Sequence, residues 1–285
     1  MLSVKPLISI ITPTYNAEEF IGKCILSVQD QAFTDYEHIL IDGVSTDQTL
    51  ILLKEYAQKK DHVRLLVEKD KGIYDAMNKG IQMAAGEWLY FLGADDLLFD
   101  RNVLGEVARA ISSNDAQLIY GNVFFARLNK PYDGEFNIEK ILTNNLSHQA
   151  VFYHASVFRS MGLYDLRYRL YADYDLNLRC WLSGRIKHIY IPLTIARFAD
   201  GGASSIRADE QFNADYPYKT IDTLFAYERS TGRQIQILAK IYRKIYLRYP
   251  FPLFLRRIWS KDHPAISFAA IAWMFLSSPL QFMKK

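Results

Sequence analysis

From residue 7 to residue 123 the chain alternates short β-branched runs with segments of helical period, a rhythm that few folds accept. Residues 7–12 (LISIIT) read as a buried strand that Pro13 ends. Asn16 and Glu19 have capping-box spacing and open a helix to about residue 31, with Phe20, Ile21, Cys24, Ile25 and Val28 on its apolar face. Residues 38–41 are a second strand ending at Asp42, and Ser45 with Gln48 caps a helix through residue 59. A strand at 63–67, a helix at 73–85, a strand at 88–92, a helix at 103–111 and a strand at 118–123 follow. Strand and helix at this interval imply right-handed βαβ units, hence an α/β fold with a mostly parallel sheet flanked by helices.

Past residue 123 the rhythm weakens. Residues 124–146 read as a loop-rich insertion, 150–153 as a short strand, 175–183 as a helix, and 186–191 as a strand broken by Pro192. Gly201-Gly202 with Ser204-Ser205 reads as a flexible loop, and everything after it as helix. The expected division is therefore a domain at 1–205 and a helical region at 206–285. Two cysteines, Cys24 and Cys180, make no disulfide framework, and a reducing compartment is expected. No apolar h-region follows Met1, so no signal peptide is expected.

The strand at 88–92 empties at Gly93-Ala94 into adjacent carboxylates, Asp95 and Asp96. In an open α/β sheet, ligands bind at the carboxyl ends of strands. Mg²⁺ or Mn²⁺ takes one or two carboxylates together with substrate phosphate oxygens. A solvated turn is the other reading of such a pair.

Charge is unevenly distributed. The 34 Lys/Arg and 31 Asp/Glu leave +3, but residues 233–285 hold ten of the bases and one acid, so that segment carries +9 and the rest −6. Residues 234–248 place Leu238, Ile241, Tyr242 and Ile245 on one stripe and Lys240, Arg243, Lys244 and Arg248 on the other, the pattern of a helix lying in an anionic membrane surface. Arg256, Arg257 and Lys261 would add to it. A helix packed on the domain with its charges solvated is the alternative. Residues 265–278 are apolar, but about 14 residues fall short of the ~20 a membrane span needs. No nucleic-acid-binding signature is present, so nucleic acid is not an expected partner.

Four segments in order, ISIITPTYNAEEFI, IDGVSTDQT, DKGIYDAMNKGI with GEWLYFLGADD, and HQAVFY with YADYDLNLR, resemble the inverting nucleotide-sugar glycosyltransferases of family 2, which have the GT-A fold. The DKGIYDAMNKG and HQ forms resemble its bacterial surface-polysaccharide branch. The resemblance implies transfer of a sugar, most simply from a UDP-linked donor, to a lipid-linked saccharide at the cytoplasmic face of the inner membrane, by a peripheral enzyme. It assigns the nucleotide base to Pro13, Tyr15 and Asp42, and the donor site to Asp75, Asn78 and Asp95. It assigns the metal to Asp95 with Asp96, and general-base work to Asp173. Asp175 competes for that last role, and His148 and Gln149 fall on the acceptor side. Three departures from the family pattern stand out: Gly93 and Ala172 each replace a carboxylate, and Asp42-Gly43-Val44-Ser45 replaces Asp-Asp-Gly-Ser. Two other readings remain, a sugar nucleotidyltransferase and a non-catalytic membrane scaffold on the same fold. The first would need a Gly- and Arg-rich loop where Pro13-Thr14-Tyr15-Asn16 stands.

Overall fold

The computed structural model describes residues 5–125, 129–132, 134–198, 209–227, 230–246 and 264–276. They divide into two compact units, Met1–Phe136 with Leu146–Ile206, and Asn137–Asn145 with Arg207–Lys285.

The first unit is built on a nine-stranded sheet. In chain order its elements are β1 (Ile8–Thr14), α1 (Ile21–Gln29), β2 (Tyr36–Asp42), α2 (Thr49–Gln58), β3 (Val63–Val67), α3 (Ile73–Met83), β4 (Trp88–Phe91), β5 (Leu97–Leu98), α4 (Val103–Ser112), β6 (Leu118–Phe125) and β7 (Lys130–Tyr132). After α5 (Ile138–Thr143), which belongs to the second unit, come β8 (Val151–His154), α6 (Ala155–Met161), α7 (Ala172–Leu182) and β9 (His188–Phe198). The strand order is β3-β2-β1-β4-β8-β6-β9-β5, with β7 on β6. Strands β1 to β4 are parallel, β6 and β9 are parallel to each other, and β5, β7 and β8 run antiparallel to their neighbours. Both faces are covered, so β1 and β2 are buried along their whole length, with Ser9, Glu37, His38 and Asp42 buried among the apolar residues. On α1 the buried residues are Ile21, Cys24, Ile25 and Val28, each apolar side chain contributing about 1.5–3 kcal/mol when fully buried.

Several local readings change. Pro13 does not end β1, which continues through Thr14 in register with β2. The β4 ladder stops at Ile11, and Ile11 and Pro13 face that same side, so the missing N–H of Pro13 falls where β1 has no partner. Pro192 likewise lies inside β9, within the irregular register between Tyr120/Tyr190 and Asn122/Thr194, where a bulge needs no ladder donor. Asn16 and Ser45 are not helix caps. Asn16 adopts φ 48°, and its side chain accepts from the Thr46 N–H at 2.9 Å, while Ser45 accepts from the Asn16 N–H at 2.9 Å. The two strand exits are thus laced together, and α1 and α2 begin only at Ile21 and Thr49. α7 begins at Ala172, three residues earlier than its apolar pattern suggests.

The second unit is helical: α5 (Ile138–Thr143), α8 (Glu210–Tyr227), α9 (Thr231–Tyr246) and α10 (Pro264–Leu276). Asn137 caps α5 by accepting from the Lys140 N–H at 2.9 Å. The stripe assigned above to a membrane surface is used inside the protein. Ile237, Leu238, Ile241 and Tyr242 are buried, and the Tyr242 hydroxyl donates to Ser267 Oγ of α10 at 3.2 Å. α10 itself buries Ser267, Ala270 and Met274 at helical spacing and leaves Phe268 and Trp273 exposed. Among the described residues no helix is long and apolar enough to cross a membrane. The Gly201–Gly202 loop, Arg248, Arg256, Arg257, Lys261 and the side chains of Lys244 and Ile245 lie outside the described residues.

Candidate active site

The chain winds β1, β2, β3 to one side and then returns to place β4 on the other side of β1. Beyond Ile11 the carboxyl ends of β1 and β4 separate, which is the switch point where open α/β sheets bind ligands. A cleft of about 420 Å³ opens there. One wall is the β1 exit, Pro13, Thr14 and Tyr15; a second is the start of α3 with Asp70, Gly72, Ile73 and Ala76; the third is the β4 exit, Gly93 to Asp95. Tyr15 is 63% exposed, so its ring is not core packing. The first turn of α3 offers unpaired N–H groups and the positive end of a helix dipole.

Asp42 does not line this cleft. Its side chain is fully buried and its oxygens are taken by the protein: Oδ2 accepts from Ser45 Oγ at 2.6 Å and Thr14 Oγ1 at 3.1 Å, and Oδ1 from the Ser45 N–H at 2.9 Å. It buttresses Thr14, which does line the cleft, and the base contact inferred for it is not open in this structure. The carboxylate that faces the cleft beside Tyr15 is Asp70, which the sequence reading passed over. A Cβ on Gly43 would stand 2.5 Å from Asp70 Oδ2 and 3.4 Å from the Tyr15 ring, so any larger residue there would push the Asp70 carboxylate aside. The family's Asp-Gly-Ser rhythm was the available signal: here its glycine is displaced to position 43, and Val44 is left at φ 66°.

Asp75 and Asn78 are also structural. Asp75 Oδ2 accepts from the Lys71 N–H at 2.9 Å, tying the loop to α3. Asn78 is buried and pairs with the Tyr164 backbone in both directions at 3.0 Å. The two share a helix face, as their spacing requires, but it is not the face that meets the cleft. Asp175 is 1% exposed and holds Arg179 Nε at 2.8 Å, while that guanidinium reaches the carbonyls of Met161 and Leu163. This is a brace between α7 and the end of α6, and it removes Asp175 as a rival base.

The remaining predicted residues form an arc. Asp95 is exposed in the cleft. Asp96 is 2% exposed and accepts from Gln149 Nε2 at 2.9 Å. His148, next in the chain to Gln149, puts Nδ1 3.8 Å from Asp173 Oδ2, and its buried Nε2 has no hydrogen-bond partner. Asp173 Oδ1 lies 2.8 Å from the Tyr74 hydroxyl, which also reaches the Leu170 carbonyl at 2.9 Å. Tyr74 follows the cleft residue Ile73 on α3. Burial and then the neighbouring Asp173 push the Tyr74 hydroxyl well above its ordinary pKa, so it stays protonated as a donor. Asp173 stands in the first turn of α7, where the helix dipole favours its carboxylate, rather than at the cap. Asp42 stands apart from this arc.

Gly93 explains one of the missing carboxylates. A Cβ there would stand 2.5 Å from Asp96 Oδ2 and 3.0 Å from Asp95 Oδ1, so a side chain at 93 would have to push these carboxylates aside. Among the described residues no group of three acidic, His or Cys side chains gathers in the manner of a metal cage. Asp70 and Asp95 are the carboxylates that line the cleft; one open carboxylate such as Asp95 would fit a Mg²⁺ or Mn²⁺ ion that draws its other ligands from substrate phosphate and water.

Comparison with known proteins agrees with this geometry. Residues 9–160 match the model of "Glycosyl transferase family 2". The Mycobacterium tuberculosis PGL/p-HBAD biosynthesis glycosyltransferase Rv2957 is 37% identical over 220 residues, covering 75% of this chain and 86% of that one. The crystal structure of S. aureus TarS 1-349 in complex with UDP superposes with a TM-score of 0.69 at 16% identity, over 98% of this chain and 92% of that one. The Pyrobaculum calidifontis mannosyltransferase PcManGT in complex with GDP-Man and Mn²⁺ superposes with a TM-score of 0.58 at 13% identity, over 97% and 89%. At such identities the two structures share the fold.

Proposed function

The chain belongs to glycosyl transferase family 2, and from there we propose that it moves a sugar, with inversion, from a UDP-linked donor to a lipid-linked saccharide in bacterial surface-polysaccharide synthesis. The observation that carries the proposal is the switch-point cleft, where an exposed tyrosine, a helix N-terminus and an open carboxylate come from three separate segments. Pro13 and Tyr15 hold the base, with Asp70 as the carboxylate that reaches its edge. The first turn of α3 receives the diphosphate. Asp95 holds the divalent ion, and Asp96, fixed by Gln149, keeps the β4 exit in shape. When bound, that ion neutralises charge on the departing nucleoside diphosphate.

Asp173 takes the proton from the acceptor hydroxyl as that oxygen attacks the anomeric carbon on the face opposite the diphosphate. Tyr74 fixes its carboxylate, and His148 stands on its acceptor side. The helical region from residue 206 rests on the cytoplasmic face of the membrane. Its basic surplus supports that placement, as does α10, whose exposed Phe268 and Trp273 replace the α9 stripe as the interfacial aromatics.

A panel of nucleotide sugars, tested with and without Mn²⁺ for a rise in melting temperature, checks the donor site. The expected result is metal-dependent stabilisation by a UDP-sugar that is lost in Asp95→Ala. Pyrophosphate release from UTP and a sugar phosphate would instead make the protein a nucleotidyltransferase.

A further inference from the structure

Among the described residues, the ring of His148 makes no hydrogen bond through either nitrogen, although it stands beside Asp173. Nε2 is buried without a partner, and Nδ1 lies 3.8 Å from Asp173 Oδ2. That is beyond the about 3.2 Å of an N–H···O bond. The chain around the ring is fixed. The Ala150 N–H donates to the Ser147 carbonyl at 2.9 Å, the Tyr90 hydroxyl donates to the Gln149 carbonyl at 2.9 Å, and Gln149 Nε2 holds Asp96. The imidazole is therefore set beside the carboxylate rather than left there by slack in the chain. A buried polar atom without a partner weakens a fold, and one kept next to a base points to a use in turnover.

We propose that His148 carries its ring proton on Nε2 and bonds Asp173 only after Asp173 has taken the proton of the acceptor hydroxyl. This rests on the reading of Asp173 as the base. An N–H at Nδ1 would be drawn into a short charge-assisted bond with the carboxylate. A lone pair at Nδ1 is held off by it, as the 3.8 Å separation requires. In the transfer step the acceptor O–H bond breaks as its oxygen bonds the anomeric carbon, and the bond from that carbon to the diphosphate breaks. The proton moves to Asp173 Oδ2, and the new O–H donates to the bare Nδ1. Two acceptors face each other before the step and a donor meets an acceptor after it. The contact is thus stronger in the transition state than in the ground state, the condition under which an interaction raises the rate. Tyr74 keeps Oδ1 throughout. His148 touches no reacting atom; it is a positioning residue that acts through Asp173.

The test uses the full chain with Mn²⁺ and UDP-glucose or UDP-N-acetylglucosamine, with water as acceptor and UDP release as the rate. His148→Phe is expected to lower kcat about tenfold with the donor KM unchanged. Its melting temperature should stay at or above wild type, because an unpaired polar atom has been removed. His148→Asn turns an amide N–H toward the carboxylate, which orients Asp173 but favours its unprotonated form, and should be as slow as His148→Phe. Nitrogen-15 spectra of histidine-labelled protein, with His148 identified among six histidines by its loss in His148→Phe, should show Nε2 protonated and Nδ1 bare. A proton on Nδ1, wild-type turnover in His148→Phe, or full recovery in His148→Asn would overturn the inference. The first of these decides it without any turnover. Asp173→Asn, run alongside, keeps the two readings apart: wild-type turnover there removes the base itself, whereas a slow Asp173→Asn beside a fast His148→Phe removes only His148.

Discussion

Strand β2 buries a carboxylate near each end, and the two have opposite surroundings. At the amino end Glu37 is 6% exposed and takes the Ser9 hydroxyl at 2.7 Å, the Ala85 N–H at 2.6 Å and Arg64 at 3.3 Å. That network ties β1, β2, β3 and the turn before β4 into one edge. At the carboxyl end Asp42 is just as buried and as fully bonded, but Thr14 stands in front of it and faces the cleft. Burial and hydrogen bonding do not distinguish the two. What differs is the chain's return across β1, which opens a crevice at the carboxyl end of the sheet. A buried acid is therefore a brace wherever the fold is closed, and part of a site only where strands diverge.

Four substitutions or conditions put that contrast under pressure. The largest effect is expected for Asp173→Asn, which should lower kcat about 10²–10⁴-fold while the melting temperature stays near wild type. The asparagine oxygen can still accept from Tyr74, so a variant that loses fold rather than turnover would make Asp173 another brace. Glu37→Gln should behave in the opposite sense. Its amide would turn donors toward donors, at a cost of roughly 2–3 kcal/mol in urea unfolding, with activity per folded molecule unchanged. Loss of activity at full stability would erase the difference between the two ends.

Between the two acids on β2 lies His38, buried between the Thr12 and Tyr56 hydroxyls at 2.9 and 3.2 Å. Burial, assisted by His62, lowers its pKa from 6.5 to about 3, so it is neutral in the folded protein. The folded value lies below the unfolded one, so this contribution is full above about pH 6.5 and is lost as pH falls from there toward about 3. The expected slope is about 1.4 kcal/mol per pH unit in that window, read from urea midpoints. A flat profile would mean that this part of β2 takes up a proton without unfolding. The smallest effect is expected at the cleft end itself. Val44 holds φ 66°, a conformation that a β-branched residue adopts only under strain. Val44→Gly should raise stability by about 1 kcal/mol, measured the same way, while leaving donor binding intact.

Much of the sheet was readable because its signal is local. The runs at β1, β2, β4 and most of β6 are apolar enough to be buried on both faces, and β3, an only partly buried strand, matches its expected bounds to the residue. β5, two residues long, and α6, packed into the turn after β8, carry too little periodic pattern to be read. At the site, Tyr15 and Asp95 could be placed because they follow strand ends directly. Asp70 could not, because in EKDKG it looks like any other charge in a polar loop until Gly43 admits it to the cleft.

The residues alone determined the order of strands and helices from β1 to β4, and with it the edge of the sheet to which Pro13, Asp42 and Asp95 belong, since side-chain period and chain direction are properties of short segments. Only the tertiary structure decided which acids face outward. That choice depends on donors brought within reach by packing, from distant segments Thr14 for Asp42, Gln149 for Asp96 and Tyr74 for Asp173, joined by the local donors Ser45 for Asp42 and Arg179 for Asp175. A carboxylate turns toward whatever satisfies it most fully, and which partners are within reach is settled when the chain is packed.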